Sequence, residues 1–158
     1  MQIELPELFS FEYIKKHGYL EGTRTFHYDG HWNDIALDLT DDPNGVLFTG
    51  IIYKLYPNGN IYYYASHKDG VFSGPFVYFY DNGNPRSYEC YDGNYSRKGN
   101  SYEWYENGQL KEMKIPQEKN AVVIKWHENG QLKDISIPLP NYIFRNLTFE
   151  WDENGKLL

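Results

Sequence analysis

The chain has 158 residues, a length that suits one domain, and a formal net charge of −7. Aromatic residues make up 18% of it, with 16 Tyr, 9 Phe and 4 Trp, and such side chains favour β-strands, where rings pack across neighbouring strands. No apolar stretch is long enough to span a membrane as a helix, and the single cysteine excludes a disulfide within the chain. The composition predicts an all-β protein with no membrane insertion.

Residues 1–47 form an N-terminal segment that differs from the rest of the chain in its charge. Nine acidic and three basic residues lie in residues 1–48, so this part carries −6 of the net charge of −7. The first residues have no basic group ahead of an apolar run, unlike a secretory signal, and we expect a cytoplasmic protein. Phe11–His17 has the length of a short helix, but the sequence leaves open whether the segment folds as a helical cap or as extra strands. We expect it to pack on the rest of the chain.

The acidic character is concentrated between Asp29 and Asp42, where five aspartates occur without a lysine or arginine. A concentrated negative field repels nucleic acid and anionic lipid, and it attracts basic proteins. The alternative is a solvated surface that only maintains solubility. We predict that the acidic residues and the tryptophan among them bind a partner, namely Asp29, Trp32, Asp34, Asp38, Asp41 and Asp42.

The same segment holds a candidate metal site. His27, Asp29 and His31 alternate along the chain, so on a strand their side chains would face one way, and two imidazoles with a carboxylate suit Zn²⁺ or Fe²⁺. The turn signal Asp29-Gly30 favours exposed polar residues instead. Because the sequence has no Gly-rich phosphate loop, nucleophile elbow or spaced cysteine ligands, we predict a non-enzymatic protein without a cofactor. The metal site remains an alternative.

Residues 48–158 contain five copies of one unit. Each copy has an Asn-Gly pair, which tolerates the positive φ of a tight hairpin turn, and β-branched and aromatic residues flank most of these pairs. Tyr56, Tyr80 and Tyr105 stand two residues before the asparagine in the first three copies. A second turn signal, such as Asp69-Gly70, separates early copies. The five pairs are Asn58-Gly59, Asn82-Gly83, Asn107-Gly108, Asn129-Gly130 and Asn154-Gly155.

This unit predicts a β-hairpin, and its repetition predicts how the hairpins are arranged. Short connections keep consecutive strands adjacent, and a hairpin of this size buries its apolar side chains only by stacking on its neighbours. We therefore predict an elongated, open antiparallel meander of five β-hairpins in residues 48–158, preceded by the divergent N-terminal segment. Pro116, Pro138 and Pro140 predict irregular loops between the last hairpins, because proline disfavours central strands.

Aromatic residues fall on both faces of the predicted sheet, as in the run Tyr62–Tyr64. Tyr and Trp are common anchors of protein-binding hot spots, so we predict that Tyr62, Tyr64 and Tyr78 contact a partner. Stacking on nucleic-acid bases would need a positive groove, which this acidic sequence does not predict. The alternative for any single ring is packing within the sheet.

The repeat resembles the MORN-repeat variant that is common in bacterial proteins. The resemblance lies in the pattern Gly-x-x-Tyr-x-x-Tyr-x-Asn-Gly with Asp-Gly between units, and it is clearest in residues 48–60 and 104–111. It extends over about residues 48–158. Bacterial proteins of this kind are often described as antitoxins or immunity proteins that neutralise secreted toxins by binding, and no catalytic residues are known for the repeat.

The resemblance implies a protein that binds a cognate protein toxin and blocks it. A basic nuclease-type toxin would suit the acidic segment, which would steer the encounter and mimic the charge of the nucleic acid. The alternative function is a scaffolding or envelope-associated module, which binds a structural partner or associates with itself through the edge strands of its sheet.

Overall fold

The computed structural model describes residues 3–21, 26–27, 36–38, 44–94, 96–139 and 146–158. Within these ranges the chain forms one short helix, α1 (Phe11–His17), and a series of β-strands. The strands are β1 (Gly18–Leu20), β2 (Phe26–His27), β3 (Leu37–Asp38), β4 (Val46–Leu47), β5 (Gly50–Leu55), β6 (Ile61–Lys68), β7 (Val71–Phe79), β8 (Pro85–Asp92), β9 (Ser101–Trp104), β10 (Leu110–Pro116), β11 (Ala121–Trp126), β12 (Leu132–Pro138) and β13 (Asn146–Glu150).

Ten of these strands form one open sheet in the order β1-β5-β6-β7-β8-β9-β10-β11-β12-β13. Strands β5 to β13 pair antiparallel with their neighbours in the sequence, whereas β1 lies parallel to β5 at the edge. Strands β2, β3 and β4 form a separate antiparallel sheet. The predicted all-β fold with an open meander of hairpins is confirmed. No helix in the described part of the chain is long and apolar enough to cross a membrane.

The Asn-Gly turns differ in one respect from the tight turn that the sequence predicts. In the first turn, Gly59 N–H donates to Tyr56 O at 2.9 Å, and Gly59 has a φ of +86°, whereas Asn58 does not adopt a positive φ. This combination is a type I turn closed by a glycine bulge. The same hydrogen bond and glycine conformation recur at the other four pairs.

Side chains of each turn bind the main chain of the next turn, and the five turns thereby form a ridge, which we call the turn ridge. Asn58 Oδ1 accepts from Asn60 N–H at 3.0 Å within its own turn, and Asn58 Nδ2 donates to Asp81 O at 2.8 Å in the next. Tyr56 Oη donates to Phe79 O at 2.9 Å. The later asparagine bonds join Asn82 to Glu106, Asn107 to Glu128 and Asn129 to Glu153. The later ring bonds join Tyr80 to Trp104, Tyr105 to Trp126 and His127 to Trp151.

The strand pairing arranges side chains in one row on each face of the sheet. The row on the core face is Tyr53, Tyr64, Val77, Tyr88, Tyr102, Met113, Ile124, Ile135 and Phe149. The row on the opposite face, which we call the open face, is Lys54, Tyr63, Tyr78, Ser87, Glu103, Glu112, Lys125, Asp134 and Glu150. The row on the core face is therefore aromatic or aliphatic along its whole length, whereas the row on the open face changes from mainly aromatic to charged.

The N-terminal residues pack on the core face. Ile14 of α1 is fully buried in the cluster that contains Tyr64. Phe9 N–H donates to Tyr64 Oη at 3.3 Å, and Tyr102 Oη donates to Glu4 O at 3.2 Å. Residues 3–17 thus lie across several strands and shield them from water. Both alternatives that the sequence left open are found, because this segment supplies a helix as well as short strands.

Ala36, directly before β3, and Phe48, directly after β4, pack with Ile52 in a cluster on the other side of β5. His67 lies beside this cluster with 5% of its surface exposed, and its Nδ1 is 3.2 Å from Ala65 O. Its Nε2 has no hydrogen-bond partner among the residues that the structure describes. Burial lowers the pKa of His67 to about 4, so that the ring is neutral at pH 7.

The prolines of the last hairpins lie where strands end. Pro116 is the last residue of β10 and pairs with Ala121, and Pro138 is the last residue of β12 and pairs with Asn146. The expectation of irregular loops at these two prolines is wrong, because a strand end tolerates the missing N–H. Pro140 lies outside the described residues.

Candidate functional site

Most of the acidic candidates lie outside the residues that the structure describes. Asp38 lies in β3, partly buried, opposite Phe26 in β2 and Val46 in β4. His27 is described only by its main chain in β2. In the described ranges, no three His, Cys, Asp or Glu side chains come together as a metal site. The candidates outside these ranges are Asp29, His31, Trp32, Asp34, Asp41 and Asp42.

The three tyrosine candidates separate onto the two faces of the sheet. Tyr78 lies on the open face opposite Ser87, and the rings of Tyr62 and Tyr78 have centroids 5.5 Å apart. Tyr64 is fully buried on the core face under Phe9, with ring centroids 5.5 Å apart, and this burial raises the pKa of Tyr64 to about 12. Because Tyr64 has no exposed surface, it is no longer a candidate for contact with a partner.

Tyr62 and Tyr78 belong to an open groove of about 470 Å³ beside the turn ridge, which we call the first groove. Tyr62 also contacts Tyr56, with ring centroids 5.0 Å apart. Burial raises the pKa of Tyr78, and the neighbouring Tyr62 adds to this effect, so the Tyr78 hydroxyl is protonated at pH 7 and available as a donor. The lining residues are Tyr62, Tyr78, Tyr80, Arg86, Ser87, Glu103, Trp104 and Lys111.

Arg86 and Lys111 bring positive charge into the first groove. Each is the fourth residue after the asparagine of its turn and lies over a turn tyrosine: Arg86 Cζ is 5.9 Å from the ring centroid of Tyr80, and Lys111 Nζ is 5.9 Å from that of Tyr105. Lys111 Nζ also lies 3.6 Å from a carboxylate oxygen of Glu103. Arg86 makes no ion pair with any residue that the structure describes. The groove can therefore accept an anionic group against aromatic walls.

A second groove, of about 360 Å³, lies on the same face between the last two repeats. Six of its lining residues occupy the repeat positions of six residues of the first groove. The equivalent pairs are Tyr80 and His127, Arg86 and Lys133, Ser87 and Asp134, Glu103 and Glu150, Trp104 and Trp151, and Lys111 and Leu158. The second groove is completed by Asp152 and Glu153. The same repeat positions therefore line both grooves, but several of these positions carry different side chains in the two grooves.

The turn ridge beside the grooves carries exposed carboxylates at regular intervals. In four of the five turns, an acidic residue directly precedes the asparagine. Its main-chain carbonyl is occupied by the asparagine of the preceding turn, but its side chain is exposed to solvent. These residues are Asp81, Glu106, Glu128 and Glu153. They give the described part of the chain a negative border that the sequence analysis did not single out.

The groove cations were also absent from the sequence-based candidates. A signal for them exists, since Tyr62, Arg86, Lys111 and Lys133 occupy the same position in successive repeats. Reading that position across the repeats shows one aromatic and three basic residues. Its significance depends on a second bulge further along the strand, because each of these residues is the extra residue at a register shift, as Tyr62 is between the pairs Leu55–Ile61 and Lys54–Tyr63.

Comparison with known proteins identifies both the repeat and a relative. A family model described as "MORN repeat variant" matches residues 73–92 and 97–114, which begin within β7 and end within β10. The chain is also similar to "Immunity protein YwqK" of Bacillus subtilis (strain 168), with 48% identity over 42 residues. This similarity covers 27% of the present chain and 27% of the relative. The chain thus spans about a quarter of the length of the curated relative that it matches.

Proposed function

The chain carries repeats of the MORN variant type, and on that premise we propose that it is an immunity-type protein, which binds a protein toxin and blocks it without catalysis. The observation that carries this proposal is the 48% identity to an immunity protein over 42 residues. The matched stretch is short, so the activity and partner of the whole protein are part of the proposal.

The open face supports a role in protein binding. Its two grooves have volumes of about 470 and 360 Å³, enough to take side chains of a partner, and their walls combine aromatic rings with charged groups. Tyrosine and arginine are enriched in binding hot spots, and Tyr62, Tyr78 and Arg86 occur together in the first groove. The proposed contact surface therefore consists of the first groove, the second groove and the acidic segment around Asp38.

A basic nuclease-type toxin is the partner that we propose. The acidic residues between Asp29 and Asp42 would attract a basic surface and raise the rate of encounter. The exposed carboxylates of the turn ridge extend this negative field along the sheet. A nuclease blocked in this way would face carboxylates where it normally binds phosphates. The interaction would take place in the cytoplasm and would need no cofactor.

Capture of the partner from cells that produce the chain tests the proposal. The chain serves as bait at low and at moderate salt, and each captured protein is then expressed alone. We expect one basic partner that is released as the salt concentration rises, because salt screens exposed charges, and that arrests growth when expressed alone. Recovery of only bait copies or envelope components, or a captured partner that is harmless when expressed alone, would contradict the proposal.

The outer edge of β13 favours a second candidate function, which is self-association as a scaffold. This strand contains neither lysine nor proline, residues that commonly protect an edge. Leu147 and Phe149 are 46% and 41% exposed, and an antiparallel copy centred on Thr148 would place these two apolar residues opposite each other. Sedimentation of the wild type and of Leu147→Lys tests this function. A dimer that the substitution dissociates supports the scaffold, and a monomeric wild type at high concentration refutes it.

A further inference from the structure

The two grooves on the open face have opposite charge, and two repeat positions contribute to this polarity. At the first position, Ser87 in the first groove is replaced by Asp134 in the second. At the other, Lys111 is replaced by Leu158. At these two positions the second groove therefore has one more carboxylate and one fewer cation than the first, and Asp152 and Glu153 add two further carboxylates. At the other equivalent charged positions the type of residue is kept: Arg86 and Lys133 are both basic, and Glu103 and Glu150 are both acidic.

In the first groove, cations outnumber carboxylates. Glu103 has Lys111 as its partner at 3.6 Å, while Arg86 is exposed and makes no ion pair within the described part of the chain. The ring of Tyr80 lies beneath its guanidinium group, and Tyr78 contributes a protonated hydroxyl. A planar guanidinium group with free donors binds carboxylate groups in a bidentate manner.

In the second groove, carboxylates outnumber cations. Asp134 and Glu150 lie directly opposite each other on paired strands, an arrangement of like charges that is unfavourable unless a cation is shared. Asp134 has Lys125 at 3.8 Å, but Glu150 makes no ion pair among the residues that the structure describes. A cationic side chain from outside would relieve this repulsion, and the apolar Leu158 would contact its aliphatic part.

The distance between the two grooves follows from the strand order. The first groove lies over β8 and β9, and the second lies over β12 and β13, four strands further along the sheet. At the usual spacing of neighbouring strands this corresponds to about 19 Å. An extended polypeptide covers that distance with about six residues. Its path would cross the strands alongside the turn ridge.

We propose that the open face binds an extended segment of a partner protein, with an acidic side chain of the segment in the first groove and basic side chains in the second. This inference deepens the proposed function and rests on it for the identity of the partner, since the segment would belong to the toxin. The orientation is fixed by charge, because the reversed segment would place a carboxylate beside Asp134 and Glu150.

Two synthetic peptides of identical composition test the charge pattern without the toxin. The dipolar peptide carries two Glu and one Tyr at one end and two Arg at the other, separated by six residues of alternating Pro and Ser. The scrambled peptide has the same residues with the charges interleaved. We expect the full chain to bind the dipolar peptide about fivefold more tightly than the scrambled one, measured by titration calorimetry. Backbone amide signals of Ser87 and Glu150 should both shift in nuclear magnetic resonance spectra.

A charge-swapped variant and a matched control complete the experiment. Arg86→Glu with Glu150→Lys exchanges the sign of one exposed residue in each groove, and we expect it to lose the preference for the dipolar peptide. The control, Glu118→Lys with Lys119→Glu, makes the same exchange in the exposed connection between β10 and β11 and should keep the preference. Equal affinity for the two peptides, or signal shifts in only one groove, would overturn the inference. The toxicity of a captured partner is measured separately, so failure of the peptide test leaves the proposed immunity function standing.

Discussion

The first and last repeats of the sheet are built from the same unit but are buried to different degrees. Tyr53 in the first repeat is 8% exposed, whereas Phe149, at the same repeat position in the last, is 41% exposed. The first repeat has β1 at one side and α1 across its core face, while β13 pairs with only one complete strand in the described sheet. The repeat thus supplies strands and turns, and elements outside the repeat decide how deeply each copy is buried.

Because of this difference, the first repeats mainly stabilise the fold, whereas the last repeats expose groups that a partner could contact. The first repeats hold the fully buried residues Tyr64 and Val77, and α1 adds the fully buried Ile14, so that these residues together stabilise the covered end. The last repeats offer exposed apolar groups, such as Leu147, and the carboxylate of Glu150, which makes no ion pair among the described residues. Because the turn ridge joins all repeats by the same side-chain bonds, the stable end can hold the exposed end in register.

The largest effect is expected from removing the equivalent core-face rings at the two ends. Tyr53→Ala should lower the free energy of unfolding by about 3–5 kcal/mol, the usual cost of deleting a buried aromatic side chain. Phe149→Ala should cost about 1 kcal/mol or less, because its ring is partly exposed. Urea denaturation of both variants measures the contrast. Equal losses would show that burial does not differ between the ends in solution.

A pH dependence is expected at the covered end, where His67 is buried. The pKa of His67 is about 4 in the folded chain and 6.5 in the unfolded chain. Between these two pH values the unfolded chain binds a proton at His67 and the folded chain does not. Stability should therefore fall as the pH drops from about 6.5 to about 4, by up to about 3 kcal/mol, and this contribution should level off below pH 4. The difference between the unfolding profiles of wild type and His67→Phe isolates this group from the carboxylates. If the stability of the two proteins changed with pH in the same way, the lowered pKa of His67 would be contradicted.

A smaller effect is expected from breaking one link of the turn ridge. Asn107 donates to Glu128 O at 3.0 Å and accepts from Gln109 N–H at 2.9 Å, so Asn107→Ala should cost about 1–2 kcal/mol. Asn154 is the matched control, because its side chain makes no hydrogen bond within the described residues. Its replacement by alanine should change stability by about 0.5 kcal/mol or less. A similar cost for both would mean that the turns act independently.

The last prediction concerns the rate of association with the toxin and not the stability of the fold, and it compares the acidic residues of the N-terminal segment with those of the turn ridge. Asp34→Asn, Asp38→Asn, Asp41→Asn and Asp42→Asn in one variant should slow association with the captured toxin by about tenfold and weaken its salt dependence. The control replaces Asp81, Glu106, Glu128 and Glu153 by their amides, which removes the same charge from the turn ridge, and it should slow association less. Unchanged association rates in the first variant would remove the steering role of the segment.

Sequence was sufficient for features that depend on neighbouring residues. The hairpins and their order follow from the Asn-Gly pairs and from the flanking strand residues. The hydrogen bond from Asn58 to Asp81 was not foreseen, because it joins two turns through a side chain whose direction depends on the glycine bulge. The burial of Tyr64, which we predicted to contact a partner, was also not foreseen, because three consecutive tyrosines do not show which one is buried. Tyr64 is buried because Phe9, which is 55 residues away in the sequence, covers it.

The charged grooves needed the structure for a related reason. Arg86 and Glu103 belong to successive copies of the repeat, and they line the same groove only because β8 pairs with β9, which places Ser87 opposite Glu103. Of the acidic candidates, Asp38 alone lies in the described residues, and the binding role of the others remains a prediction.

Growth of cells that express the captured toxin is the measurement that tests the account most directly. Co-expression of the wild-type chain, of Arg86→Glu with Lys111→Glu, or of the control Glu118→Lys with Lys119→Glu compares the open face with a distant surface. We expect the wild type and the control to restore growth and the groove variant to fail while remaining folded. Failure of the wild type to restore growth, or equal rescue by all three proteins, would contradict toxin neutralisation through the open face.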